Sequence, residues 1–222
     1  MILAIDTATR WLGLALYDGS SLLAEIGWKS INTQTIDLTP AIDDLFKRID
    51  GNIADLKGIA IAIGPGSYTG LRVGLGVAKG LSLAYKIPLI GVDTLDIVAT
   101  AFGPMEGQLC VVAEAGRTRI VAALYGWNKR HSWRSKGKPV ICTWGELLGE
   151  LEMATTFAGE ITPEAKKQIR AHKEHTFRVA SPVVSARRAG YLAELAWKRL
   201  RKGQVDDASA LTPNYLREPA GS

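Results

Sequence analysis

Cysteine is nearly missing from this chain. Only Cys110 and Cys142 occur among 222 residues, and no CxxC pair exists. A zinc site built on cysteine clusters is therefore excluded, as is a disulfide-stapled secreted scaffold. Two thiols suit a reducing compartment. Histidine is almost as scarce: His131, His172 and His175 are the full set, and there is no HExxH motif. His172 and His175 stand about one helical turn apart and could share a metal. They lie among Lys, Arg and Glu, the setting of surface histidines, and no metal site is expected. No apolar run reaches the roughly 18 residues that a membrane span needs. Met1–Asp6 has no basic flank and is cut by an acid at its sixth position, so it reads as a strand and not as a signal peptide. A soluble cytoplasmic protein with no membrane partner is expected. The GK[ST] end of a Walker A loop and the GxSxG of a nucleophile elbow are also missing.

The apolar fraction of 47% and the charged fraction of 22% are those of a globular chain and exclude wholesale disorder. A chain of this length buries roughly 70% of its unfolded surface and needs no staples. With 27 basic and 22 acidic residues the net charge is +5. That excess permits an acidic partner such as RNA without demanding one.

The N-terminal third reads as three strands, Ile2–Asp6, Trp11–Tyr17 and Ser21–Trp28, with a hairpin turn at Asp18-Gly19-Ser20. Leu38, Ile42, Leu45 and Ile49 have helical spacing, with Thr39-Pro40 starting or kinking that helix. A buried strand at 58–63, a helix over about 70–85, a strand at 89–92 and a helix from Asp93 or Thr94 follow. Three strands and then α-β-α-β-α is the ribonuclease H-like order. The second half begins as the first does. With a shift of 108, Ile2–Asp6 lies over Cys110–Glu114 and Leu14–Tyr17 over Ala122–Tyr125. The last long helix is expected over 185–202, with Ala189, Leu192, Ala193, Ala196 and Leu200 on its buried face. Two such halves make an α/β, actin-like (ASKHA) fold whose second half is reduced. The expected domains are 1–103 and 104–222, with the C-terminal tail returning to the first.

Asp6-Thr7-Ala8-Thr9 occupies the turn between the first two strands. Hydroxyls and amides there can hold phosphate, and the acid can hold Mg²⁺ through water. A plain polar turn uses the same residue types. Asp6, Thr7 and Thr9 are the candidate nucleotide-binding residues. The matching turn of the second half, Glu114-Ala115-Gly116-Arg117, has no hydroxyl before Thr118. An independent ATPase of this class needs two phosphate turns. Gly64-Pro65-Gly66-Ser67-Tyr68-Thr69-Gly70 is a tight strand-to-helix turn or an anion-accepting helix start. Along the helix after it, Gly70, Val73, Gly74, Val77 and Gly80 fall on one side. Each interior glycine costs about 1 kcal/mol relative to alanine, so something must approach closely: the chain's own sheet or a second chain. Lys129, Arg130, Arg134 and Lys136, interleaved with Trp127 and Trp133, have the composition of a single-strand RNA contact. A solvated hairpin tip has it too.

Ile2–Thr9, Gly64–Gly74 (GPGSYTGLRVG) and Leu211–Arg217 (LTPNYLR) together resemble the TsaB (YeaZ) family, in order and over most of the chain. The resemblance implies an actin-like fold and a part in making N6-threonylcarbamoyladenosine next to the tRNA anticodon. It implies a scaffold and activator with no catalytic residue and no cofactor of its own, though ATP or ADP could bind at a complex interface. The implied partners are a TsaD-like catalytic paralogue, a TsaE-like ATPase, tRNA through the complex, and a second copy of the chain when the paralogue is absent. The implied docking helices carry Leu38, Ile42, Leu45, Gly70, Val73, Gly74, Val77 and Gly80. The chain departs from the family's pattern near Asn32, where no histidine occurs, and at the Glu114–Arg119 turn. The alternatives are an independent actin-like ATPase, a glycoprotease-type peptidase, or an RNA-binding module.

Overall fold

The computed structural model describes residues 1–30, 33–116, 118–128, 132–172 and 176–216. It divides into two units, the first made of Met1–Ile97 and Arg187–Tyr215, the second centred on Val98–Ala186. Among the described residues no helix is long and apolar enough to cross a membrane.

In the first unit, β1 (Ile2–Asp6), β2 (Trp11–Tyr17) and β3 (Leu22–Lys29) form an antiparallel meander. Then come α1 (Gln34–Lys47), β4 (Gly58–Ala62), α2 (Tyr68–Tyr85), β5 (Leu89–Val92) and α3 (Thr94–Thr100). The sheet order is β3-β2-β1-β4-β5, with β4 parallel to β1 and β5 parallel to β4. Period-two alternation divides the sheet between two layers. Leu3, Ile5, Leu14, Leu16, Ile59 and Ile61 share a core with Leu38, Ile42 and Leu45 of α1 and Leu75 and Ala78 of α2. The other face carries Ile2, Ala4, Ala15, Ala60 and Ala62, and it packs against α6 (Ala189–Leu200). Small residues on both sides let that helix lie close. A methyl added at Gly13 would already touch the Ala189 methyl at 3.4 Å. The expected buried face of the last helix is observed at Ala189, Leu192, Ala193 and Ala196. The helix belongs to the first unit, however, not to the second domain to which the expected boundary assigned it. The alanine face of β1, β2 and β4 is its packing surface.

In the second unit, β6 (Gln108–Glu114), β7 (Ile120–Asn128), β8 (Ser132–Ser135) and β9 (Val140–Cys142) lead to α4 (Trp144–Glu150). Then β10 (Thr155–Gly159), α5 (Pro163–Ala171) and β11 (Phe177–Val179) follow. The order β11-β10-β6-β7-β8 reproduces that of the first sheet, with β10 parallel to β6 and β11 parallel to β10. Asp6 faces Gly13 in the first hairpin and Glu114 faces Ile120 in the second, so the second turn is one residue shorter. A second α/β pair, α5 and β11, does exist, but β11 has only three residues. The unit closes on Cys110, Val112, Leu147, Leu148, Phe157 and Ile169. Two aromatic edges flank Phe157: Trp144 at 5.7 Å and Phe177 at 5.5 Å.

After α6 the chain runs back along β5. Asp206 forms a β-bridge with Leu89, and its N–H donates to the Leu89 carbonyl at 2.8 Å. Ala208 and Leu211 pack on the α1–α2 core. The tail therefore covers an edge that would otherwise present unpaired backbone. A chain ending at Gly203 should keep its sheet but melt earlier and self-associate, as thermal denaturation and light scattering would show. A truncated chain that stays monomeric with unchanged melting would remove the tail from the stability of this unit.

Candidate functional site

The β1–β2 turn sits where the strand β1 ends on a carboxylate. Asp6 is fully buried, and a buried charge must find partners. Its Oδ1 accepts from the Ala8 N–H at 2.9 Å. Its Oδ2 accepts from Nε of Arg187 at 2.9 Å, and the guanidinium is itself only 5% exposed. A second nitrogen of the same guanidinium donates to Oγ1 of Thr9. That oxygen also accepts from the Trp11 N–H at 3.3 Å. Thr7 points the other way, and its hydroxyl donates to the Gly70 carbonyl at 2.7 Å. The three candidate nucleotide-binding residues are thus brought together, and all three are buried and bonded within the chain. Arg187 is the residue that sequence reasoning missed. No local pattern marks a contact 181 positions away. The available signal was Asp6 itself, an acid closing an apolar strand and therefore in need of a cation.

The glycine-rich segment packs on this turn. A methyl group on Gly66 would stand 2.1 Å from the Ala8 carbonyl oxygen. One on Gly70 would stand 2.2 Å from that of Thr7, and one on Gly74 would stand 2.1 Å from Thr7 Oγ1. Glycine at every fourth position is therefore the line along which the loop and α2 meet the turn. Ser67 caps α2 by accepting from the Gly70 N–H at 3.3 Å, while its own N–H donates to the Ala8 carbonyl at 2.6 Å. This corrects the expected docking residues. Gly70 and Gly74 face the turn, and Leu38, Ile42 and Leu45 are buried in the core, so none presents a side chain to a partner. Val73 and Val77 are half-buried, and Gly80 is open, with nothing within 4 Å of an added methyl. Gly76 is equally open; Leu83, on the same side of α2, and Ile36 of α1 are exposed.

The tail joins the same neighbourhood. The Asn214 N–H donates to the Ile63 carbonyl at 2.6 Å. The Tyr215 hydroxyl meets Nε of Arg72 at 3.0 Å, and its ring lies 5.2 Å from that of Tyr68. Thr94 Oγ1 accepts from the Gly64 N–H at 3.1 Å. Beside it, Asp93 is half-buried, and desolvation, reinforced by the charge of Asp96, pushes its carboxyl up to about 6. Hydrogen bonds from the Leu95 N–H and from Asn214 only partly offset that.

Elsewhere the expected groups are dispersed. Lys129, Arg130 and His175 lie outside the described residues. Arg134 is exposed on β8. Lys136 donates to Gln108 Oε1 at 2.8 Å. Trp133 is buried, with its indole N–H on the Phe102 carbonyl at 3.0 Å and its ring edge-on to Trp127, so of the two readings of this run its ring does not supply the stacking surface. His172 stacks on Phe177 at 5.1 Å. Among the described residues no three His, Cys, Asp or Glu side chains converge as metal ligands. Burial pushes the Cys142 thiol up to about 11, and Cys110 higher still, which leaves neither poised as a nucleophile.

Two sheets with the same strand order and the same β-hairpin start define an actin-like (ASKHA) fold. A family model described as TsaD, tRNA N6-adenosine threonylcarbamoyltransferase, matches residues 33–221. The tRNA threonylcarbamoyladenosine biosynthesis protein TsaB of Bacillus subtilis is 28% identical over 220 residues, 97% of this chain and 93% of its own length. That of Escherichia coli is 33% identical over 137 residues, 61% of this chain and 59% of its own length. YeaZ from Pseudomonas aeruginosa has the same fold, with a TM-score of 0.79 at 21% identity, covering 97% of this chain and 99% of that one. The chain belongs to the TsaD family, and it is similar to that family's proteins named TsaB over nearly its whole length.

Two outcomes follow from this geometry. Gly74→Ala should cost about 1–3 kcal/mol in urea denaturation, because Thr7 is held by its bond to Gly70 and cannot step aside. Gly80→Ala, with open space around it, should be neutral or gain up to about 1 kcal/mol. Equal effects at the two positions would sink this account of the glycines. The second outcome concerns Asp93, whose carboxyl binds its proton more tightly in the folded chain than in the unfolded one. Its contribution to stability is greatest below about pH 4 and falls as the pH rises towards 6, by on the order of 1–3 kcal/mol. Asp93→Asn should flatten that fall and stabilise the chain at pH 8. A melting profile from pH 4 to 8 that matches the parent's would contradict it.

Proposed function

We propose that this chain is a non-catalytic, activating subunit in tRNA threonylcarbamoyladenosine biosynthesis. It pairs with a TsaD-like paralogue that performs the transfer to the adenosine next to the anticodon. Support for a place in this process comes from the family match and the TsaB relatives. The observation that carries the non-catalytic reading is the state of the β1–β2 turn. The acid and hydroxyls that a phosphotransfer subunit would turn towards Mg²⁺ and phosphate are spent on Arg187 and on the backbone of α2. Among the described residues no constellation favours the ATPase or peptidase alternatives.

The docking face on this reading is the outer side of α1 and α2. Val73, Val77, Gly76, Gly80 and Leu83 line α2 there, and Ile36 lies on α1. An exposed Leu and open glycines on a helix otherwise packed on its own core suit a close helix-to-helix approach. The occupant is the paralogue, and a second copy of this chain takes the face in its absence. A TsaE-like ATPase and tRNA are engaged through the complex, with nucleotide, where it binds, at a shared interface and not in this chain's own turn. Lys129, Arg130, Arg134 and Lys136 remain candidates for RNA contact.

Alone, the purified chain should neither hydrolyse ATP nor modify tRNA, and adding the paralogue should produce the modified nucleoside. Robust turnover by the chain alone would overturn the reading. Gly80→Arg places a long cation on the open face without touching the core. It should fold with unchanged or higher melting temperature and lose paralogue binding by at least about a hundredfold, the effect of about 3 kcal/mol. Wild-type affinity in that variant would move the interface elsewhere.

A further inference from the structure

A nucleotide with Mg²⁺ needs from an actin-like turn a free carboxylate oxygen and outward hydroxyls or amides. Both oxygens of Asp6 are engaged, one by the Ala8 N–H and one by Arg187. The Thr9 hydroxyl accepts from Arg187 and from Trp11. The Thr7 hydroxyl points inward to Gly70. The exposure of these three residues is 0%, 7% and 0% in that order. On the α2 side the turn has no room for a further group, because even a methyl on Gly66 or Gly70 would strike the Ala8 or Thr7 carbonyl. The residues present do not fit the group.

We infer that Arg187 is the resident cation of this turn. Its guanidinium supplies, as part of the chain, the positive charge that Asp6 and Thr9 would otherwise take from a bound metal. It thereby closes the turn to nucleotide and holds it in one conformation. The hold reaches α2 through two contacts, Thr7 Oγ1 to the Gly70 carbonyl and the Ser67 N–H to the Ala8 carbonyl. Arg187 is thus a positioning residue for the first turn of α2. Only the consequence for docking rests on the proposed function, and the measurements below need no partner, so the two can fail separately.

The test uses the full chain. In isothermal titration, Mg²⁺ with ADP should give no heat that depends on Asp6. Binding in the parent that Asp6→Asn abolishes would overturn the inference. Arg187→Ala should lower the melting temperature by on the order of 10 °C, the effect expected when a buried pair loses one partner. Millimolar ethylguanidinium, which can refill the vacated place, should recover at least half of that loss. It should do nothing for the parent or for Asp6→Asn/Arg187→Ala. Unchanged melting in Arg187→Ala, or rescue that is absent or equal in the double variant, would overturn the inference. Should Arg187→Ala not fold, the Asp6→Asn/Arg187→Met pair decides instead, because removing both charges leaves neither one stranded. That double variant should fold and melt above Arg187→Met alone. A double variant less stable than both single ones would count against a paired role.

Discussion

The first unit is organised around the buried ion pair of Asp6 and Arg187. A carboxylate at the inner end of a central strand is one of the costliest groups a sheet can carry, and it is tolerated here because a guanidinium meets it at 2.9 Å with both groups almost fully buried. That contact fixes more than two residues. It brings position 187 to the end of β1, and from there the chain can only enter α6 across the alanine face of β1, β2 and β4. The next residue, Arg188, donates to Glu25 of β3 at 2.9 Å, and the same carboxylate accepts from the Gly190 N–H in the first turn of α6. Adjacent arginines thus anchor the start of one helix to opposite ends of the meander. An acid at that helix start also suits the helix dipole. Small residues on the sheet are the condition for this arrangement, since bulk at Gly13 or Ala15 would lift α6 away and separate the pair.

On the opposite layer the turn is gripped by glycine. Gly66, Gly70 and Gly74 are spaced so that each meets backbone or hydroxyl of Thr7 and Ala8. The tail then crosses the same region, with Asn214 on the Ile63 carbonyl and Tyr215 against Arg72 and Tyr68. The three segments through which the chain resembles its family therefore meet in one place. Their shared feature is close packing with internally satisfied polar groups. Chemistry at an exposed reactive atom would need the opposite: unpaired donors and acceptors turned outward.

Much of this was legible beforehand. The strand order followed from apolar runs and their spacing. The duplication followed from Ile2–Asp6 lying over Cys110–Glu114, because strand periodicity is a local property. The α2 glycines were visible as an anomaly, but their direction was not. A glycine stripe has the same sequence whether it meets its own turn or a neighbour, and only the distances from Gly74 to Thr7 and the open space at Gly80 separate the two cases. Leu38, Ile42 and Leu45 were read as partner-facing, yet on a helix with one apolar stripe that stripe goes to the chain's own core. Trp133 misled in the same way: an indole among arginines and lysines suggests a stacking surface, while its N–H is committed to the Phe102 carbonyl. Arg187 was illegible because pairing across 181 residues leaves no periodicity, and because it adjoins a second arginine that does reach the surface.

The two halves share a strand order but fill their hairpin turns differently. In the first half the hydroxyls are present and consumed. In the second, the turn after Glu114 is one residue shorter, and the Glu114 N–H is bound by the Glu160 carboxylate at 2.9 Å. In the first half an exposed feature beside the internally bonded turn is the outer side of α2. On the proposed reading the outer side of α2 is the docking face, for a specific physical reason. Its inner glycines let the helix sit deep on its own turn, and its outer ones leave the backbone within reach of another helix. Rigidity on one side and access on the other are what an activating subunit on the proposed reading requires. The first of these rests on the paired carboxylate at Asp6, because the turn that it anchors is the one on which α2 packs.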